Sequence, residues 1–264
     1  MKKPVDYSKE IILKPVHPNI GIEVSYRKKL FLLIDDMHQS ILYWLGAAYK
    51  KNTPEMAEDE SPAMALREAM THLGKRWQKK FDVAAPELAK YFSVTAAERV
   101  DGTLQSILKK SGFGIQFKMT PEFNDVLQAT MGEQVGLIKS IAQEHLSDVQ
   151  GLVMRSVSMG RDLKTLTDDL QKRYDVTRRR AALIARDQNN KATASMTRAR
   201  QQGLGITEAI WMHSHAGKHP RPSHLKANGH RYDIKKGMYL DGKWVWPGTE
   251  INCRCVSKSI IPGF

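Results

Sequence analysis

Apolar side chains recur at steps of three and four residues over much of residues 26–202, which is the spacing of one face of a helix. The clearest stretch covers residues 26–50, a second follows Pro62, and a third covers 135–160. Another helix is predicted to begin at Thr120-Pro121, since threonine caps helices and proline suits the first helical position. A chain with this pattern buries its core between helices.

Three other segments of this part give local predictions. Residues 1–25 contain three prolines and no helical period, which predicts an extended arm. Residues 112–119 alternate weakly between apolar and polar side chains and predict a short strand. Residues 162–174 and 177–202 predict a pair of helices joined at Asp175-Val176.

The character of the sequence changes after residue 205. Ile210-Trp211-Met212 predicts a strand, and Asp241-Gly242 between two short apolar runs predicts a two-residue hairpin. We therefore predict an α+β protein with a mainly helical N-terminal and middle body and a small β-rich C-terminal unit. Its predicted parts are an arm over 1–25, a helical N-terminal region over 26–134, a helical middle region over 135–205 and the β-rich unit over 206–264.

The positive charge is concentrated in the last third of the chain. The net charge is +13, and residues 172–200 alone contain nine basic and two acidic side chains. A basic helix face neutralises phosphates, which predicts contact with the backbone of double-stranded DNA and no reading of base sequence. Alternatively, this basic helix face contacts only solvent, or it faces an acidic protein partner. The predicted DNA contacts are Arg178, Arg179, Arg180, Arg186, Lys191, Arg198 and Arg200.

No membrane span or secretory signal is expected. The longest apolar run is Leu30–Ile34, far short of the roughly 20 residues that a span needs. No apolar stretch follows the lysines at the N-terminus, so we expect a protein made in a host cytoplasm. Two cysteines exclude a fold held by several disulfides.

Histidine and cysteine are clustered in the β-rich unit. Five of the nine histidines lie between residues 213 and 230, and the two cysteines form Cys253-Arg254-Cys255. In a strand, such cysteines share one face, and two thiolates with two imidazoles complete a zinc tetrahedron. The predicted ligands of a structural zinc ion are His213, His224, Cys253 and Cys255, with His215 and His219 as substitutes. Two buried thiols beside solvated histidines are the alternative.

Zinc would offset the small core of a unit of about 60 residues with few aliphatic side chains. With four protein ligands the site would be closed, and therefore not catalytic. A second interpretation is a metal-dependent nuclease of the His-Asn-His kind, using His224, Asn228 and His230 as base and metal site. A third is a regulatory DNA-binding protein whose two paired helices form a helix-turn-helix. No phosphate-binding loop or nucleophile motif favours an enzyme.

Several stretches of the C-terminal half occur together in the order and spacing of a known family. They are Gly160-Arg161-Asp162-Leu163, Arg179-Arg180-Ala181, Ile184-Ala185-Arg186-Asp187-Gln188, Trp211-Met212-His213-Ser214, Pro220-Arg221-Pro222-Ser223-His224, Asn228-Gly229 and the run from Pro247 to Cys255. Residues 135–264 thereby resemble the phage Mu F-like family of head morphogenesis proteins, also called minor head or minor capsid proteins. Many members have an acidic residue soon after the Trp211 position, where this chain has His213 and His215, so the fourth ligand stays open.

The resemblance implies a structural, non-enzymatic protein of a tailed-phage virion. Such proteins are present in few copies, lie at the portal vertex and the capsid interior, and act in head assembly or DNA delivery. Portal protein, capsid proteins and packaged double-stranded DNA are the implied partners. Residues 1–120 carry no motif that assigns them a role.

Overall fold

The structure is a computed structural model that describes residues 9–51, 62–159, 163–215 and 219–263. Most of them lie in four long helices, followed by a short β-rich region, so the predicted α+β class is confirmed. None of the described helices is both long and apolar enough to cross a membrane. The long helices are α1 (Ile20–Lys51), α2 (Pro62–Lys110), α3 (Pro121–Ser158) and α4 (Leu163–Gly203).

The β-rich region contains two antiparallel sheets and one short helix. The larger sheet has the strand order β1-β6-β2-β3, and the smaller one pairs β4 with β5. The strands are β1 (Ile11–Ile12), β2 (Glu208–Met212), β3 (Arg231–Asp233), β4 (Met238–Leu240), β5 (Lys243–Val245) and β6 (Val256–Ile261), and α5 covers Pro222–Ala227. Asp241 and Gly242 both adopt positive φ angles of 49° and 81°, as a two-residue hairpin requires, so the predicted hairpin is confirmed.

Side chains cap two of the long helices at their first residues. The Oδ1 atom of Asn19 accepts a hydrogen bond of 2.8 Å from the backbone N–H of Gly21 at the start of α1. The hydroxyl of Thr120 accepts one of 3.3 Å from the N–H of Phe123 at the start of α3, which confirms the predicted cap.

Two local predictions are wrong, and the extended arm predicted over 1–25 is wrong from Ile20 onward. The arm over 1–25 gives way to helix at Ile20, because Asn19 caps α1, and Ile11–Ile12 pair with β6; residues 1–8 are outside the described part. The predicted helical pair is one continuous helix, because Asp175-Val176 contains neither glycine nor proline to end α4. Residues 112–119 form no strand and connect α2 to α3.

The chain divides into two compact units that are not contiguous in sequence. The helical unit takes residues 24–90 and 132–185, and the mixed unit takes 1–23, 91–131 and 186–264. Helices α2, α3 and α4 each contribute to both units, so the units do not coincide with the predicted boundaries.

The helical unit is packed around side chains at successive helical turns. Tyr26, Ile34, Ile41 and Phe81 are completely buried, and the Tyr26 hydroxyl donates a hydrogen bond of 2.9 Å to Gln134. This burial at steps of three and four residues is what the sequence pattern predicted.

The helical unit also encloses a polar cluster. His38 stacks on Tyr174 with 4.2 Å between ring centroids, and the Nδ1 atom of His145 lies 2.8 Å from the hydroxyl of Thr177. Burial lowers the pKa of His145 to about 4, and the positive charge of Arg173 adds to the effect. The imidazole of His145 is therefore neutral at pH 7.

Candidate metal centre

The C-terminal region brings two cysteines and one histidine together in its core. His224 lies on α5, which begins with Pro222 at its first position, and both cysteines lie in the loop before β6. That loop turns at Gly248, which has a φ angle of 84°; a Cβ atom there would lie 2.9 Å from the Cβ of Ala194. A side chain at position 248 would therefore disturb the loop that carries the cysteines.

The ligating atoms have the spacing of a zinc tetrahedron. The Nδ1 atom of His224 lies 3.5 Å from the Sγ of Cys253 and 3.7 Å from the Sγ of Cys255. Zinc bonds of about 2.0–2.1 Å to nitrogen and 2.3 Å to sulfur, at a tetrahedral angle, place these atoms about 3.6 Å apart. The three side chains are at most 4% exposed, and their ligating atoms lie within 4.8 Å of one another. The chemistry of the three side chains and the two N···S distances fit one metal ion.

The other nitrogen of His224 fixes the tautomer that a metal requires. Its Nε2 atom lies 2.8 Å from the Oε2 of Glu250. A carboxylate only accepts hydrogen bonds, so Nε2 carries a proton, and in the neutral ring Nδ1 presents its lone pair to the sulfurs. This carboxylate–histidine pairing orients histidine ligands in many metal sites.

Glu250 is held in its ionised form by neighbouring groups. Burial opposes ionisation, but hydrogen bonds from Lys243 and His224 outweigh it and keep the pKa of Glu250 below its ordinary value. Arg221 contributes a further positive charge, with its Nε atom 3.8 Å from Oε2.

The sulfur of Cys253 lies where hydrogen bonds stabilise a thiolate. The thiol of Cys255 is the main donor; His224, when its ring is protonated, and the backbone N–H of Gly248, 3.3 Å away, also contribute. Together they outweigh burial and lower the pKa of Cys253 to about 4. A thiolate is the form of cysteine that binds metals.

Helix α4 supports the cysteine loop through polar contacts that the sequence alone did not predict. The Nδ2 atom of Asn190 donates a hydrogen bond of 3.1 Å to the carbonyl of Cys253, and Asp187 accepts one of 2.7 Å from the N–H of Asn252. Asn252 has a φ of 60°, a strained angle that this contact helps to hold. Asp187 and Asn252 both occur in the stretches that carry the family resemblance, which was the available signal.

The structure brings together three of the four predicted ligands. His213 lies at the wall of an adjacent cavity, outside the group formed by His224 and the cysteines. Its backbone N–H donates a hydrogen bond of 2.9 Å to Asn228, and its Nδ1 accepts one of 3.1 Å from the N–H of His215. His219, the other substitute ligand, lines the same cavity.

The nuclease constellation does not assemble in the described part of the chain. His224 is occupied by the cysteines and Glu250, Asn228 binds the backbone of His213, and the His230 side chain is exposed. The predicted trio therefore forms no common metal group.

The predicted DNA contacts of the helical unit differ in exposure. Arg178 lies 3.3 Å from a carboxylate oxygen of Asp35, and Arg180 lies 2.8 Å from one of Glu144. Arg179, between them, is exposed.

The predicted DNA contacts of the mixed unit are engaged within the fold. They are Arg186 with Asn252 at 3.2 Å, Lys191 with Asp187 at 3.0 Å, Arg198 over the ring of Trp246 at 4.2 Å, and Arg200 with Asp101 at 2.7 Å. These contacts give the four side chains a role within the fold. DNA contact by them stays a prediction.

Comparison with known proteins agrees with the resemblance drawn from the sequence. Residues 147–258 match the family model described as "Phage Mu protein F like protein", which confirms the resemblance over most of 135–264. An uncharacterized protein of Haemophilus influenzae (strain ATCC 51907 / DSM 11121 / KW20 / Rd) is 32% identical over 145 residues. These cover 54% of this chain and 31% of that protein, so the chain spans about a third of its relative's length. No solved structure matches.

Proposed function

We propose that this chain, whose residues 147–258 are phage Mu F-like, is a structural protein of a tailed-phage head. The observation that carries the proposal is the family match, which includes every residue of the candidate metal centre. The protein acts in head assembly at the portal vertex and the capsid interior, in few copies per particle, with portal or capsid proteins as partners. It works there as a structural part and not as an enzyme.

Purified particles of the phage that encodes the chain provide the test. Immunodetection is expected to find the chain in DNA-filled particles, in an amount far below that of the major capsid protein. Protease added to intact particles is expected to leave it uncleaved, while opened particles lose it. Absence from the particles would overturn the proposal, and cleavage in intact particles would remove the interior location.

We further propose that His224, Cys253 and Cys255 bind one zinc ion that stabilises the C-terminal region. Two observations support this: the N···S separations of a zinc tetrahedron, and the Glu250 contact that holds the proton of the neutral His224 ring on Nε2. Elemental analysis of the full chain is expected to find one zinc per molecule. Cys255→Ser is expected to lower that content to near zero, whereas His230→Ala, at an exposed histidine of the same region, retains it. Zinc-free wild-type protein would overturn the assignment.

Contact with packaged DNA is the third part of the proposal, and exposed basic side chains would make it. Lys235 and Lys236 extend from the turn after β3 and are exposed, as is Arg179 on α4. Binding to duplex backbone weakens with salt with a log–log slope of about 0.9 per phosphate contacted. Replacing Lys235 and Lys236 with alanine is expected to reduce the slope by up to about 1.8 in a fluorescence-anisotropy titration. The matched control replaces Lys109 and Lys110, two exposed lysines outside the family region. A salt-independent signal would remove DNA from the proposal.

A further inference from the structure

We infer that, among the residues that the structure describes, only His224, Cys253 and Cys255 ligate the zinc ion, so that its fourth coordination position is open and takes a water molecule that small anions displace. The inference rests on the zinc site proposed above, since it concerns the side of the ion that the three protein ligands leave uncovered. It departs from a purely structural site, in which four protein ligands close the tetrahedron.

The hydrogen bonds of His213 exclude it as the fourth ligand in this arrangement. Its Nδ1 accepts the N–H of His215, so that lone pair is used, and Nε2 then carries the proton of the neutral ring. Neither nitrogen has a lone pair for zinc.

His213 is also held in place from both sides. Asn228 accepts its backbone N–H at 2.9 Å, and the ring lies edge-to-face against His215 with 4.6 Å between centroids. His224 differs from His213 in its hydrogen bonds. The carboxylate of Glu250 accepts the Nε2–H of His224, so that Nδ1 of the neutral ring has its lone pair available to a metal ion, whereas the backbone N–H of His215 occupies the lone pair of Nδ1 in His213. His224 is therefore oriented to bind a metal ion through Nδ1, and His213 is not.

A cavity lies on the uncovered side of the three ligands. It has a volume of about 300 Å³, and His224 and both cysteines form part of its wall. That volume holds several waters or a small ligand. The basic side chains of the remaining wall are Arg221 and Arg254, and none of the described side chains that line the cavity is acidic. The basic wall selects an anion, and the ion supplies the coordination bond.

Cobalt substitution of the full-length protein tests the inference. Co²⁺ replaces zinc in such sites, and its visible d–d bands report the number and kind of ligands. Sodium azide added to the cobalt protein is expected to shift these bands in a saturable way, and His213→Ala is expected to respond with the same affinity. Arg254→Gln is expected to retain the cobalt bands and bind azide about threefold more weakly, as for loss of one partly exposed charge.

The outcomes separate the two proposals. Failure of the wild-type protein to bind cobalt, seen as the absence of a thiolate-to-cobalt charge-transfer band, would overturn the metal site itself. Normal cobalt binding with no azide response would overturn only the open position. An azide response that appears only in His213→Ala would show that His213 is the fourth ligand. Unchanged azide affinity in Arg254→Gln would overturn the selection of anions by the basic wall.

Discussion

The two parts of helix α4 bury opposite kinds of side chain. Within the helical unit, five of its six buried side chains are apolar, among them Leu166, Leu170 and Ile184. Between residues 186 and 203, eight of its ten buried side chains are polar or charged, among them Asn189 and Gln201. One helix therefore takes part in two modes of stabilisation, apolar packing in one unit and specific hydrogen bonding in the other.

The polar part of α4 binds backbone and hydroxyl groups of β6 and of the loop before it. Gln201 donates a hydrogen bond of 2.7 Å to Ser259 on β6, and Asn190 donates one to the loop that carries Cys253. Such bonds fix positions but contribute only about 1 kcal/mol each. Polar contacts therefore position the β-rich region, whose own apolar cluster surrounds Trp211, and the proposed metal ion would add to its stability.

Removal of the metal is expected to give the largest difference in stability between the β-rich region and the helical unit. A chelator is expected to destabilise the β-rich region by several kcal/mol, since zinc contributes about 10–16 kcal/mol of apparent binding free energy in small zinc modules. Hydrogen-exchange mass spectrometry should show lost protection in β2 and β6 and unchanged protection in residues 24–90, with recovery when zinc is added back. Equal loss of protection in both parts would contradict the comparison.

A substitution that creates a cavity in the helical unit is expected to have the opposite effect, because it destabilises that unit and leaves the metal centre intact. Phe81→Ala removes a completely buried ring and is expected to lower the free energy of unfolding by about 3–5 kcal/mol in urea titrations. Zinc content should stay unchanged. The control is Val83→Ala on the same helix, a side chain 68% exposed, for which less than about 0.5 kcal/mol is expected. A loss of zinc in Phe81→Ala would show that the parts are not independent.

Acidification should weaken the helical unit through His145. Its pKa is about 4 in the folded protein and about 6.5 when unfolded, so the unfolded chain binds the proton first as the pH falls. The contribution of neutral His145 to the free energy of unfolding is fully present above pH 6.5. It is lost as the pH falls toward 4, which lowers the free energy of unfolding by about 3 kcal/mol. Arg173 and His38 add positive charge near the ring and lower the pKa of His145 further, and no carboxylate is among the groups that shift this pKa.

The comparison of wild type with His145→Gln isolates this effect from the carboxylates that titrate in the same range. Urea unfolding at several pH values should give a flatter pH dependence for the variant, whose side chain carries no titrating group. Parallel curves for the two proteins would contradict the assignment to His145.

The smallest predicted effect concerns Glu250. Glu250→Gln keeps the size of the side chain but removes the charge that orients His224, and zinc affinity is expected to fall about 10- to 100-fold. Competition with a chromophoric chelator measures this change. Glu208→Gln, at an exposed carboxylate on β2, is the matched control and should leave affinity unchanged. Equal affinities for Glu250→Gln and wild type would show that the carboxylate does not support the ligand.

Local periodicity predicted the helices because burial of one face leaves a regular mark in the sequence. The hairpin was predictable for a similar reason, since Asp241-Gly242 tolerates positive φ. The pairing of Ile11 with Ile261 was not predictable, because two residues carry no pattern and their partner is far away in sequence. The break proposed at Asp175-Val176 failed because neither residue is a helix breaker, so α4 continues through both.

The candidate site was partly predictable for the same physical reason. Cysteine and histidine are rare enough that their clustering marks His224, Cys253 and Cys255 without a structure. Glu250 and Asp187 were not identified, because acidic residues are common and only geometry shows which one faces a ligand. The choice of His213 depended on its expected inward direction after β2; the residue is buried, but its Nδ1 atom accepts the backbone N–H of His215.

The position of β6 in the sheet has a consequence for how the protein is made. β6 lies between β1 and β2, yet the ribosome synthesises it after every other strand described, just behind Cys253 and Cys255. Until it emerges, β1 and β2 lack the strand that joins them, while the segments of the helical unit are already free to fold. A chain truncated before Val256 would therefore keep all three proposed metal ligands and yet have no continuous sheet.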